Sequence, residues 1–71
     1  MATNVMAPMT GKIVRINVEP GETVAEDFEI LVIEAMKMET PIYAPCDGMI
    51  EKILKKVGDE VEEDDVIALM A

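Results

Sequence analysis

The chain has no histidine and no tryptophan, and only one cysteine, one phenylalanine and one tyrosine among its 71 residues. Without histidine it lacks the side chain that ordinarily titrates nearest neutrality, which argues against an autonomous acid–base enzyme. A single cysteine, Cys46, cannot form an internal disulfide and fits a reducing compartment. With Phe28 and Tyr43 as the only aromatics, a core has to be built from Ile, Val, Leu and Met. Cations are also scarce: six Lys and Arg stand against fifteen Asp and Glu, a formal net charge of −9 that repels nucleic-acid backbones and anionic membranes. No apolar run approaches membrane-spanning length and no charged-then-apolar leader opens the chain, so a cytoplasmic location is expected. The length suits one domain, residues 1–71, with no room for a deep catalytic cleft.

What is present is a repeat. Offset by 37 positions, "APMTGKIVRINVEPGETVAEDFEILVIE" (7–34) lies without a gap on "APCDGMIEKILKKVGDEVEEDDVIALMA" (44–71). Ten positions are identical, among them Pro8/Pro45, Gly11/Gly48 and Gly21/Gly58, which set backbone geometry. The expected architecture is two copies of one supersecondary unit, about 3–34 and 40–71, related by an approximate two-fold axis.

The repeat also decides between helix and strand. "MIEKILKKV" (49–57) carries helical spacing, but its partner "KIVRINVEP" (12–20) alternates Val14, Ile16 and Val18 and then meets Pro20. Both copies share one fold, so both are expected to be strands. The competing reading, a helix over 24–39 opened by the "TVAE" capping box, is opposed by the β-rich run "ILVI" (30–33) and its partner "VIALM" (66–70). Gly21 and Gly58 mark turns that need positive φ. The predicted fold is all-β: a flattened barrel or sandwich of two four-stranded antiparallel sheets.

Lys37 then falls at the junction between copies, in "EAMKMET" (34–40). Its symmetry mate lies beyond both chain ends, so a hairpin tip at 36–37 should point away from the termini. A lysine at such a tip is ordinarily a solvated charge. Here Met36 and Met38 flank it where polar residues would be expected, and Met-Lys is a poor match for the Asn-Gly chemistry of two-residue turns. The remaining features read as bland. "DEVEEDD" (59–65) lacks calcium-loop spacing and its central glycine, no metal site is expected, and Cys46 reads as a small turn residue.

The motif, the repeat and the downstream "PIYAPCDG" together resemble the biotin/lipoyl attachment family, and "AMKM" resembles the attachment motif of its biotinyl (biotin carboxyl carrier) domains. The resemblance covers essentially the whole chain. It implies that Lys37 is joined to biotin by an amide, and that Met36 and Met38 are read by a biotin protein ligase, with Glu34, Ala35 and Glu39 shaping the hairpin. It also implies a non-catalytic carrier that meets the biotin carboxylase and carboxyltransferase components of a biotin-dependent carboxylase or decarboxylase. An amide needs a primary amine, which arginine cannot supply. Two family features are missing: the thumb loop of some bacterial carriers, for which the gapless repeat leaves no space, and an Ala/Pro-rich linker. Both a stand-alone carrier and one domain of a larger subunit fit. Lipoyl domains share the fold, but their lysine is commonly preceded by Asp and followed by Ala. An unmodified β interaction module is the third reading.

Overall fold

The structure, a computed structural model, describes residues 3–71. Short β-branched runs separated by Gly-, Pro- and Asp-bearing turns make every regular element among these residues a strand. They are β1 (Thr3–Met6), β2 (Gly11–Ile16), β3 (Thr23–Val24), β4 (Glu29–Ala35), β5 (Met38–Tyr43), β6 (Gly48–Ile53), β7 (Glu60–Val61) and β8 (Val66–Met70). All pairings are antiparallel. They build two four-stranded sheets, ordered β1-β8-β6-β3 and β5-β4-β2-β7. The all-β, two-sheet expectation holds, and residues 24–39 form no helix.

The two-fold repeat reaches down to single hydrogen bonds. Advancing β1, β2, β3 and β4 by 37 residues gives β5, β6, β7 and β8, and it turns one sheet order into the other. Each sheet therefore draws two strands from each half. Gly21 N–H donates to the Ile50 carbonyl at 2.7 Å, and Gly58 N–H donates to that of Ile13 at 2.8 Å. Asp27 N–H donates to the Ala44 carbonyl at 2.9 Å, and Asp64 N–H to that of Ala7 at 2.8 Å. The turns of one half are thus closed by carbonyls of the other, so neither half satisfies its own backbone. Asp27 and Asp64 adopt φ of 68° and 71°, a conformation that Asp tolerates better than most side chains.

The core is duplicated as well. Val5, Ile13, Val24, Ile30 and Ile33 pack in one cluster with their mates Ile42, Ile50, Val61, Ile67 and Met70. At about 1.5–3 kcal/mol for each large aliphatic side chain taken out of water, this shared cluster is the main favourable term holding the halves together.

One detail of the strand reading is corrected. Val14 and Ile16 are only half-buried, while Ile13 is fully buried. The β2–β4 register shifts between Ile13 and Arg15, and the β6–β8 register shifts between Ile50 and Lys52, at equivalent positions. These bulges insert an extra residue, Val14 or Glu51, and reverse the side-chain phase along the strand. A similar shift between Glu29 and Leu31 places both Ile30 and Leu31 in the core cluster, which explains why "ILVI" shows no alternation.

The two ends of the body differ. Thr3 pairs with Met70, so β1 begins beside the end of β8. Asp65, at the entry to β8, instead lines a groove together with Met36. The β4–β5 hairpin therefore lies at the start of β8, and Thr3 and Ala71 at its finish, along a body 32 Å long and 17 Å across. The connections 17–22 and 54–59 are equal in length, with no inserted loop. No helix among the described residues is long and apolar enough to cross a membrane.

Candidate functional site

The hairpin stem is the longest paired segment of the molecule. Its ladder runs from Glu29/Tyr43 through Leu31/Ile42, Val32/Pro41, Ile33/Thr40 and Glu34/Glu39 to Ala35/Met38. Leu31, Ile33 and Ile42 anchor it in the core. Met36 and Lys37 are the two residues left to turn the chain, with φ of 52° and 64°. Positive φ at both central positions is the pattern of a type I′ turn, which suits the right-handed twist of the strands. Neither residue is a glycine or asparagine, so each conformation costs about 1–2 kcal/mol. The buried stem holds the turn in place against that cost, and local strain of this kind is characteristic of functional positions.

Replacing Met36 with asparagine, which tolerates positive φ, is therefore expected to raise stability by about 1 kcal/mol. Thermal unfolding would register this as an upward shift of roughly 4–8 °C in Tm. A fall in Tm would show that the Met36 side chain stabilises the fold after all.

The structure brings all six residues singled out in the sequence to this one end. Lys37 is exposed, with no hydrogen bond or ion pair to its side chain among the described residues. Met36 is 93% exposed and Met38 69%. Ala35 is half-buried where β4 passes β2; a Cβ built on Gly11 would lie 3.3 Å from its own. Glu34 and Glu39 face each other across the ladder, an unfavourable like-charge pair. Arg15 offsets it slightly, its Nη2 lying 3.8 Å from Glu39 Oε1; both side chains are largely exposed, so the pair contributes little.

Sequence reading missed the neighbours of the tip. An open groove of about 590 Å³ runs beside it, lined by Thr10, Lys12, Met36 and the carboxylates of Glu34, Glu60, Glu62 and Asp65, among others. Lys12 stands in register between Glu34 and Glu60 across three strands. The acidic run 59–65 thus borders the hairpin through Glu60, Glu62 and Asp65. The repeat held only part of the signal for this, and the strand pairing supplies the rest. The mates of Lys12, Glu62 and Asp65 are Met49, Ala25 and Phe28, so these charges belong to one end only. The arrangement presents one exposed amine on the hairpin apex, rimmed by methionines and acidic residues.

A family model described as "Biotin-requiring enzyme" matches residues 3–70. The chain belongs to the biotin/lipoyl attachment family. Among curated relatives, it is 37% identical over 83% of its length to the biotin/lipoyl attachment protein of Bacillus subtilis, of which it covers 81%. It is 44% identical, again over 83% of its length, to the biotin carboxyl carrier protein of acetyl-CoA carboxylase of Solanum lycopersicum, covering 84% of that protein. The match to the mitochondrial propionyl-CoA carboxylase alpha chain of Sus scrofa is 44% identical over 86% of this chain but only 8% of the other. The chain spans less than a tenth of the length of the propionyl-CoA carboxylase chains that it matches. Its fold superposes on part of the urea carboxylase of Kluyveromyces lactis with a TM-score of 0.94 and 32% identity, covering 100% of this chain and 6% of that one. Members of the family therefore occur both as small carriers of this size and as parts of long carboxylase chains.

Proposed function

We propose that this chain is a biotin carboxyl carrier domain in which Lys37 accepts biotin and carries it between the biotin carboxylase and carboxyltransferase components of a biotin-dependent carboxylase or decarboxylase. The observation that carries the reading is the apex itself: one lysine, without a side-chain partner among the described residues and bracketed by exposed methionines, in a fold shared with biotin carriers. The residues fit the group. A neutral acyl chain in amide linkage needs a primary amine that reaches into another protein's site, and the strained turn holds Lys37 where no side chain among the described residues pairs with it.

In this reading Lys37 Nζ loses a proton to the ligase and attacks the activated carbonyl of the biotinyl group. The N–C bond forms as the activating group leaves with its electron pair. The step removes one positive charge, so the carrier becomes more acidic by one unit. Met36 and Met38 offer adaptable apolar contacts to the ligase, and Glu34 and Glu39 give it an anionic frame. Bound biotin supplies a ureido nitrogen able to hold a carboxyl group; the chain itself contributes delivery and no catalytic group. Tethering raises the local concentration of the cofactor at each enzyme site without tight binding. The net charge of −9 favours brief, steered encounters with basic enzyme surfaces. The single cysteine, which cannot form an internal disulfide, is compatible with a reducing compartment such as the cytoplasm.

Co-expression with a biotin protein ligase tests the proposal. Intact mass should rise by one biotinyl group in the wild type and stay unchanged in Lys37→Arg. Labelling that persists in the variant would reject the site. A lipoyl increment in cells that supply both groups would move the chain to the other branch of its family.

A further inference from the structure

We infer that Met36 is a reversible oxidation site, at which sulfoxide formation shuts off the acceptance of biotin by Lys37; the inference rests on the carrier reading above. Among methionines 6–70, access differs widely. Met36 is 93% exposed and Met38 69%, against 48% for Met6, 40% for Met49 and 0% for Met70. Met9 is half-buried. Thioether oxidation follows exposure, so the apex reacts first and the core methionine last. The fold is spared because Met70, the methionine that packs with Ile33 and Ile50, is sealed.

The chemistry needs only an oxidant of the hydroperoxide class. A sulfur lone pair attacks one peroxide oxygen, the O–O bond breaks and an S–O bond forms. The thioether is oxidised by two electrons to a sulfoxide, and the peroxide is reduced to water. The product keeps its formal charge but exchanges a soft apolar tip for a polar hydrogen-bond acceptor. The groove beside Met36 is lined mainly by residues whose side chains only accept, Glu34, Glu60, Glu62 and Asp65, against two with side-chain donors, Lys12 and Thr10. A ligase that closes on the apex through apolar contact has to strip water from the sulfoxide without returning a hydrogen bond. Methionine sulfoxide is restored by reductases, one for each epimer, so the block is reversible.

The test uses the intact protein, limiting hydrogen peroxide as oxidant, and peptide mass mapping to order the sites. Met36 should oxidise first and Met38 next. Labelling by biotin, ATP and a biotin protein ligase should then slow at least tenfold, with an unchanged far-UV spectrum. Treatment with both reductase types should restore the rate. Met36→Leu, compared with its own untreated rate, should lose most of the peroxide sensitivity. Full-rate labelling of the oxidised protein, earlier oxidation of Met49 or Met70, sensitivity undiminished in Met36→Leu, or failure of the reductases to restore the rate each overturns the inference. Untreated protein that takes no biotin overturns the carrier reading itself, a result distinguishable from labelled protein that is indifferent to peroxide.

Discussion

Replacing Gly11 with alanine is expected to unfold a substantial fraction of the protein at physiological temperature. β2 and β4 approach so closely there that an added Cβ would sit 2.3 Å from Ile33 Cγ2 and 2.7 Å from the Glu34 carbonyl oxygen. Ile33 is fully buried and the Glu34 carbonyl belongs to the stem of the hairpin, so neither can step aside cheaply. Overpacking of this kind costs about 1–3 kcal/mol, and backbone contact puts Gly11 at the upper end. A domain of this size has only about 3–5 kcal/mol in hand. Thermal or urea unfolding should show Tm falling by roughly 10–20 °C. Gly21→Ala is the comparison. Its φ of 93° makes alanine strained, but nothing lies within 4 Å of the added carbon, so a loss of only about 1 kcal/mol is expected. Equal losses at the two glycines would refute the close-approach account.

Exchanging the two apex residues, Met36→Lys with Lys37→Met, should leave stability within about 0.5 kcal/mol. It should nonetheless lower biotin acceptance a hundredfold or more. Both positions have positive φ and both side chains are exposed, so composition, charge and backbone strain stay the same. What changes is where the amine points. At position 36 it would border the groove of Glu34, Glu60, Glu62 and Asp65, which attracts an ammonium group. Misplacing a reacting atom by about 1 Å can cost a hundredfold. The measurement is the initial rate of ligase labelling beside a thermal melt. Equal rates for the exchanged and native proteins would show that any lysine on this turn suffices.

The fold was legible because the chain states it twice. "MIEKILKKV" alone has helical spacing; its partner, with Val14, Ile16, Val18 and Pro20, argues against that, and β6 and β2 are both strands, although they end at Ile53 and Ile16, so 54–57 and 17–20 are connections and not strand as expected. Hydrophobic alternation could not reveal the bulges, since an extra residue such as Val14 or Ile30 changes the side-chain phase without changing the residue types. That is why Ile13, and not Val14, faces the core. Lys37 was legible from the offset of 37 and its methionine flanks. The conformation of the tip was not, because Met-Lys has no intrinsic preference for positive φ and is forced there by the ladder of Ala35/Met38 and Glu34/Glu39. Nor was the groove, which joins residues 10–12, 34–36, 60–62 and 65 and depends on how β2, β4 and β7 are paired.

The central claim is that this duplicated scaffold offers one amine, and only one, to a modifying enzyme. Limiting ligase labelling followed by peptide mass mapping of all lysines tests it directly. The account predicts biotin on Lys37 alone, with Lys12, Lys52, Lys55 and Lys56 unmodified. Biotin distributed over the strand lysines, or present on Lys12 in place of Lys37, would contradict it.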